Sequence, residues 1–214
     1  QMIDKLLNVL NSNDSKVLVK DAQIITGINN FSKEKNFLQA AREARRISRD
    51  VWRVQVIAGA ASGLDKIDPD AAELLYTEAL DVLNNSKPGT AVIRTTLHIA
   101  ERYYEVEPAL GRRILSSAVR FANQTNFSEK GFRFPFDRSL IVSIGSVTFV
   151  LGFEPERIQD ALRGIDIGKM AQSDWLMMNE LSLTIENKML RAIFQLKMCE
   201  AMISQSSHDA RKTK

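Results

Sequence analysis

The chain contains little cysteine, histidine, glycine or proline, and each scarcity excludes a class of chemistry. Its single cysteine, Cys199, rules out an intrachain disulfide and a thiolate metal cluster. Cys199 stands in an apolar helical run with Leu196, Met198, Met202 and Ile203, where a small buried hydrophobe is the expected role. The two histidines, His98 and His208, lie far apart, with His208 in a polar terminal stretch. No metal site and no cofactor is expected. The scattered glycines form no phosphate-cradling G-x-x-x-x-G-K-[ST], no G-x-G-x-x-G and no G-x-S-x-G nucleophile elbow. No run of about twenty apolar residues occurs, so no membrane span is expected. A signal-peptide pattern is absent as well. The chain begins Gln1-Met2, which leaves a soluble cytoplasmic protein and one exported after leader removal as alternatives. The formal charge of +3 is too small an excess to imply nucleic acid by itself.

What the sequence does hold is repetition. A shift of thirty-nine residues sets Ala61 against Ala100, Ile67 against Val106, and Asp68-Pro69 against Glu107-Pro108. The same shift pairs Leu75 with Ile114, Ala79 with Ala118 and Asn84 with Asn123. Periods between twenty and fifty residues mark stacked supersecondary units. A second match runs from Phe37 against Trp175, pairing Leu38 with Leu176, Ile47 with Ile185, Trp52 with Leu190 and Arg53 with Arg191.

Apolar residues recur at three- and four-residue spacing almost throughout, which predicts amphipathic helices. They are expected at about 2–11, 15–29, 33–48, 51–66, 69–85, 90–106, 108–125, 138–152, 155–164, 173–186 and 188–205. Asp68-Pro69 joins an N-cap acceptor to a proline whose missing N–H costs nothing at the first helical position. Glu107-Pro108 and Glu154-Pro155 repeat the device with a weaker cap, and Asp137 and Ser173 are further N-cap candidates. Residues 126–137 break the pattern: Phe132, Phe134 and Phe136 alternate as in an extended strand, which predicts an ordered aromatic loop. Residues 1–205 are expected to form a single α-helical repeat domain, with 206–214 as a flexible tail. The fold class is all-α, a right-handed superhelical stack of antiparallel helix hairpins.

The segments IAGAASGLDKIDPDAAELLYTEAL, HIAERYYEVEPALGRRIL and SDWLMMNELSLTIENKMLRAIFQL carry a resemblance to tetratricopeptide-like α-helical repeat proteins. The chain resembles most closely poorly characterised bacterial members, over about Phe31 to Ile203. The full consensus, with its Trp, Gly and Tyr positions, is absent. The resemblance implies an α-α solenoid used for protein interaction, and it carries over no catalytic residues.

Arg42, Arg45, Arg46 and Arg49 recur at three- and four-residue spacing and form one helical face, followed by Arg53. Guanidinium forks grip carboxylates and phosphates, so this face is a candidate for anchoring acidic groups of a partner. The alternative is complementation of a helix C-terminus by solvated charges. The recurrence of Arg53 at Arg191 suggests a repeated structural bond to the preceding helix end. A second polar face holds Arg94, His98, Glu101, Arg102 and Glu105. Arg102 joins the anchor candidates, and Tyr103 and Tyr104 are candidates for apolar partner contact, although rings at helical spacing are more often core and Tyr103 takes the place of Leu64 in the thirty-nine-residue match, which favours core for it. The expected function is a non-enzymatic scaffold holding an acidic protein or peptide on its concave face. A nucleic-acid-binding helical repeat is the alternative, and a helical enzyme using His98 and Glu101 ranks below it.

Overall fold

The computed structural model describes residues 13–127, 140–144, 147–151, 158–162 and 164–212. The described residues are overwhelmingly helical, in keeping with the all-α class, with one two-stranded exception. Packing groups the chain into two compact units, Gln1–Ser86 with Phe136–Phe153, and Lys87–Pro135 with Glu154–Lys214.

The first unit contains α1 (Asn13–Lys33), α2 (Phe37–Ala44), α3 (Asp50–Leu64), α4 (Pro69–Asn84) and the strands β1 (Leu140–Ile144) and β2 (Val147–Leu151). Helix α3 is its centre, packed against α2, α4 and both strands. Its small residues Ala58, Gly59, Ala60 and Ala61 are all buried and let neighbouring axes approach closely. Asp68 caps α4 as its sequence position predicts, its carboxylate accepting from the Ala71 N–H at 3.1 Å. A longer-range cap opens α3. Arg49, at the N-cap, makes no side-chain cap of its own. The fully buried carboxylate of Asp21, on α1, instead accepts from the backbone N–H groups of Ser48 at 2.9 Å and Arg49 at 3.1 Å.

The helix expected at 138–152 is an antiparallel hairpin, with Leu140 opposite Leu151 and Ile144 opposite Val147. Both strands are rich in β-branched residues (Ile141, Val142, Ile144, Val147, Thr148, Val150), and Gly-Ser separates them in the sequence. Short apolar runs satisfy helical and extended periods alike, and here β-propensity and the two-residue break decide. The aromatic loop lies outside the described residues from position 128 onward, as do the helix expected at 2–11 and the candidate caps Asp137 and Glu154. Phe127, its last described residue, is buried.

The second unit contains α5 (Thr90–Val106), α6 (Pro108–Gln124), α7 (Ile158–Ala161), α8 (Ile167–Ser173), α9 (Trp175–Leu183) and α10 (Lys188–Lys212). Helices α5 and α6 form an antiparallel pair joined by Glu107 alone, which supplies no side-chain cap. Helix α8 was not expected. Asp166 caps it through the Lys169 N–H at 2.9 Å. Asp174, and not Ser173, caps α9: its own N–H closes α8 on the Met170 carbonyl, while its carboxylate accepts from the Met177 N–H. Helix α10 runs on through Lys212, across most of the stretch expected to be a tail.

Positions aligned by the thirty-nine-residue shift keep their environments. Ala61 and Ala100, Leu75 and Ile114, and Ala79 and Ala118 are all buried, whereas Ile67 and Val106 are exposed to 63% and 62%. The Phe37–Trp175 match is kept in hydrogen bonding too. Arg53 donates from Nη1 to the Ile47 carbonyl at 3.3 Å, and Arg191 donates from Nε to the Ile185 carbonyl at 2.8 Å. Ile47 and Ile185 are both buried. Each arginine fastens the first turn of one helix to the end of the one before it, the repeated bond that the sequence suggests. Replacing Arg191 with Met should lower stability by about 1–2 kcal/mol, since it strips a charge-assisted partner from a carbonyl beside a buried side chain. A urea titration followed by circular dichroism reads this, and a midpoint unchanged from wild type would show the bond to be idle.

Candidate functional site

The arginine face lies at the corner between α2 and α3, in the first unit. Helix α2 begins at Asn36, whose side chain accepts from the Gln39 N–H, and turns its apolar stripe (Phe37, Ala40, Ala41, Ala44) inward. That leaves Arg42, Arg45 and Arg46 exposed on its other side. The four candidate arginines have separate commitments. Arg45 makes a two-pronged bond to Glu78 on α4, from Nε at 2.9 Å and from Nη2 at 2.7 Å. Glu78 holds the Arg45 guanidinium more firmly protonated than usual, first through that hydrogen bond and then through its charge. Arg46 pairs with Glu43 one turn back on its own helix at 2.6 Å and keeps 65% of its side chain in solvent. Arg42 has no ion-pair partner among the described residues. Arg49 lies over the Trp52 ring, 5.0 Å from its centroid, a cation–π contact that steadies both side chains.

The corner is also held from behind. Asp21 grips the backbone of Ser48 and Arg49, and Arg53 ties the Ile47 carbonyl and pairs with Asp50. Arg45 and Arg53 are therefore structural, whereas Arg42 is exposed and Arg46, paired only within its own turn, stays largely in solvent. Two guanidinium forks and an aromatic edge on a braced corner suit a carboxylate or phosphate group presented by another molecule.

The remaining candidates belong to the second unit. Arg102 is partly exposed on α5. Tyr103 and Tyr104 are not surface residues: they are 7% and 6% exposed and belong to the core. Burial pushes the Tyr104 phenol up from its ordinary range, and the nearby Arg112 guanidinium offsets part of that rise. Sequence spacing placed both tyrosines at the end of an amphipathic helix, where a ring serves either as core or as contact. The approach of α6 decides for core.

His98 and Glu101 lie one turn apart on α5, with His98 Nδ1 3.6 Å from the carboxylate. That separation makes an ion pair only when the imidazole is protonated, and it is too long for a hydrogen bond. Glu105, one turn further, pairs with Lys169 of α8. The Lys169 ammonium is held above its usual range, chiefly by the Glu105 hydrogen bond and charge, with Glu101 and Asp166 adding to it. Among the described residues no group of three or more His, Cys, Asp or Glu is placed to hold a metal ion. No described helix is long and apolar enough to cross a membrane.

Ser116, Val119, Arg120, Asn123, Gln124, Leu181, Thr184 and Glu186 line an open groove of about 450 Å³ between the ends of α6 and α9. Asn123 is committed to the groove wall, donating to the Thr184 carbonyl and accepting from the Glu186 N–H, both at 2.9 Å. Its repeat match to Asn84 gives no hint of that role, because the partners lie 61 and 63 residues further along the chain.

No family model matches the chain, and neither the curated proteins nor the solved structures contain a match to it.

Proposed function

We propose that the chain is a tetratricopeptide-like helical scaffold, non-enzymatic, that holds an acidic segment of a partner protein at the α2–α3 corner. The observation that carries this reading is the division of labour among the arginines. Arg45 and Arg53 are consumed by bonds to other elements, while Arg42 and Arg46 are exposed on the same short stretch that carries Arg49 onto Trp52. Exposed charges that make at most an ion pair within their own turn, as Arg46 does with Glu43, on a corner fixed by Asp21 from another helix, cost little to order when a partner arrives. Tyr103 and Tyr104 drop out of the contact surface, and Arg102 remains a separate anchor in the second unit.

The test is capture from a native lysate with wild type beside the double variant Arg42→Glu, Arg46→Glu. The expected result is loss of the captured acidic protein, with an affinity for its acidic peptide reduced by about a hundredfold or more, and helical content unchanged. Equal capture by the two proteins would remove the corner from consideration. Retention on RNA or DNA falling steeply with salt would favour the nucleic-acid alternative.

A further inference from the structure

Helix α10 carries an apolar seam that faces solvent. Met189, Leu196 and Ile203 are exposed to 62%, 58% and 68%. Ala192 and Cys199, exposed as well, fill the positions between them. The spacing alternates three, four, three, four, which keeps all five on one side of the helix. The burial expected for Cys199 is thus reversed: the helix turns Leu190, Phe194 and Met198 inward and leaves Cys199 outside.

The same seam exists twice more in the chain and is covered both times. The match that pairs Arg53 with Arg191 sets Val54, Ala58 and Ala61 of α3 against Ala192, Leu196 and Cys199. The thirty-nine-residue shift sets the same three against Ile93, Leu97 and Ala100 of α5. All six of these counterparts are buried. The next residue along the seam identifies what covers it. On α3 that residue is Asp65, which accepts a hydrogen bond from Tyr76 of α4 at 3.2 Å. On α5 it is Tyr104, whose backbone would lie 2.8 Å from a Cβ added at Gly111 of α6. The Pro-initiated helices α4 and α6 therefore lie over these seams. On α10 the corresponding residue is Ile203, 68% exposed, and the elements against which α10 packs most broadly are α7, α8 and α9.

We propose that the α10 seam is a docking seat for an amphipathic helix of a partner protein, of the kind that α6 presents to α5. The seam contains no charge and repeats the central leucine of α5, Leu196 standing where Leu97 does. The occupant's chemistry follows from α6, whose inward face holds Gly111, Ile114, Leu115, Ala118 and Ala122. A helix whose face interleaves small residues with branched apolar ones fits such a seat. The seat lies in the second unit and is independent of the arginine corner.

The probe is a fluorescent peptide spanning residues 107–125, titrated into the full chain and followed by anisotropy. Saturable binding is expected, weakened at least about tenfold by Leu196→Glu, because a charge then sits where a leucine side chain would be covered. Lys197→Glu, off the seam, should leave it unchanged. Bound peptide should also slow alkylation of Cys199 several-fold, a readout that peptide displacing the native α6 from α5 would not move. Binding that ignores Leu196→Glu, absence of binding, or unprotected Cys199 would each overturn the proposal. So would a wild-type dimer in sedimentation that Leu196→Glu converts to monomer, since the seat would then belong to a second copy of the chain.

Discussion

Substituting Asp21 with alanine is expected to cost about 3 kcal/mol, from two charge-assisted hydrogen bonds lost together and two backbone donors left without acceptors. The carboxylate is fully buried and spends both oxygens on the entry to α3. It stands in for the cap that Arg49 cannot provide, and lost caps alone cost about 1–2 kcal/mol. Asparagine should recover less than half of the loss. Its single carbonyl oxygen can accept from one N–H, while its amide group would face the other donor. Thermal denaturation of wild type, Asp21→Asn and Asp21→Ala should rank in that order. Asparagine matching wild type would show that one acceptor suffices, and alanine matching it would show the corner to be set by packing alone. The substitution should also weaken the proposed acidic-partner binding, because the Arg49–Trp52 stack is built on the backbone that Asp21 grips.

Gly111→Leu is expected to destabilise by an amount on the order of 3 kcal/mol, although leucine is the better helix former by nearly 1 kcal/mol. A Cβ at this position would meet the Tyr104 backbone nitrogen at 2.8 Å and Cα at 2.9 Å. Both atoms are main chain and cannot swing away, so α5 and α6 would have to separate. Gly111→Ala should also destabilise, by about 1 kcal/mol after the gain in propensity is subtracted. The aligned pair in the first unit shows what the closeness accommodates. Asp65 stands where Tyr104 does, and Ala72 stands where Gly111 does. A smaller residue on one helix accompanies a methyl on the other, and the larger Tyr104 accompanies its removal. Guanidinium unfolding of the two variants measures the effect. An alanine variant more stable than wild type would mean that α6 shifts freely and that the contact is not restrictive.

The parts of the fold legible in the sequence were those governed by local chemistry. Asp68-Pro69 and the helices at 69–84, 90–106 and 108–124 follow from caps, prolines and apolar spacing within a few residues of each boundary. The bond from Arg53 to the Ile47 carbonyl was legible because Arg191 and Ile185 repeat it at the same separation. Features that depend on distant segments were not legible. Asp21 reads as an ordinary polar residue until α1 is placed beside the start of α3. The hairpin at 140–151 reads as helix because its apolar run fits both periods, and α8 is too short for periodicity to reveal. Of the candidate site, the arginine face was readable, but which of its members are already consumed was not. Glu78 is thirty-three residues from Arg45, and no spacing rule connects them. Tyr104 as a contact and Cys199 as a buried residue fail for one reason: which side of an amphipathic helix meets a neighbour depends on the neighbour.

The first unit is built from two separated stretches of chain, and this sets an order of assembly. Helices α1 to α4 precede Ser86, but the strands that pack on α1 and α3 arrive only with Phe136–Phe153. During synthesis the α5–α6 pair, closed through one linking residue, can form as soon as it emerges, since neighbouring helices meet at low entropic cost. The earlier unit must wait with one side of α3 uncovered until the hairpin is made. The first unit is thus whole once Phe153 has been made, whereas the α5–α6 pair, though closed early, waits for Glu154–Lys214 to complete the second.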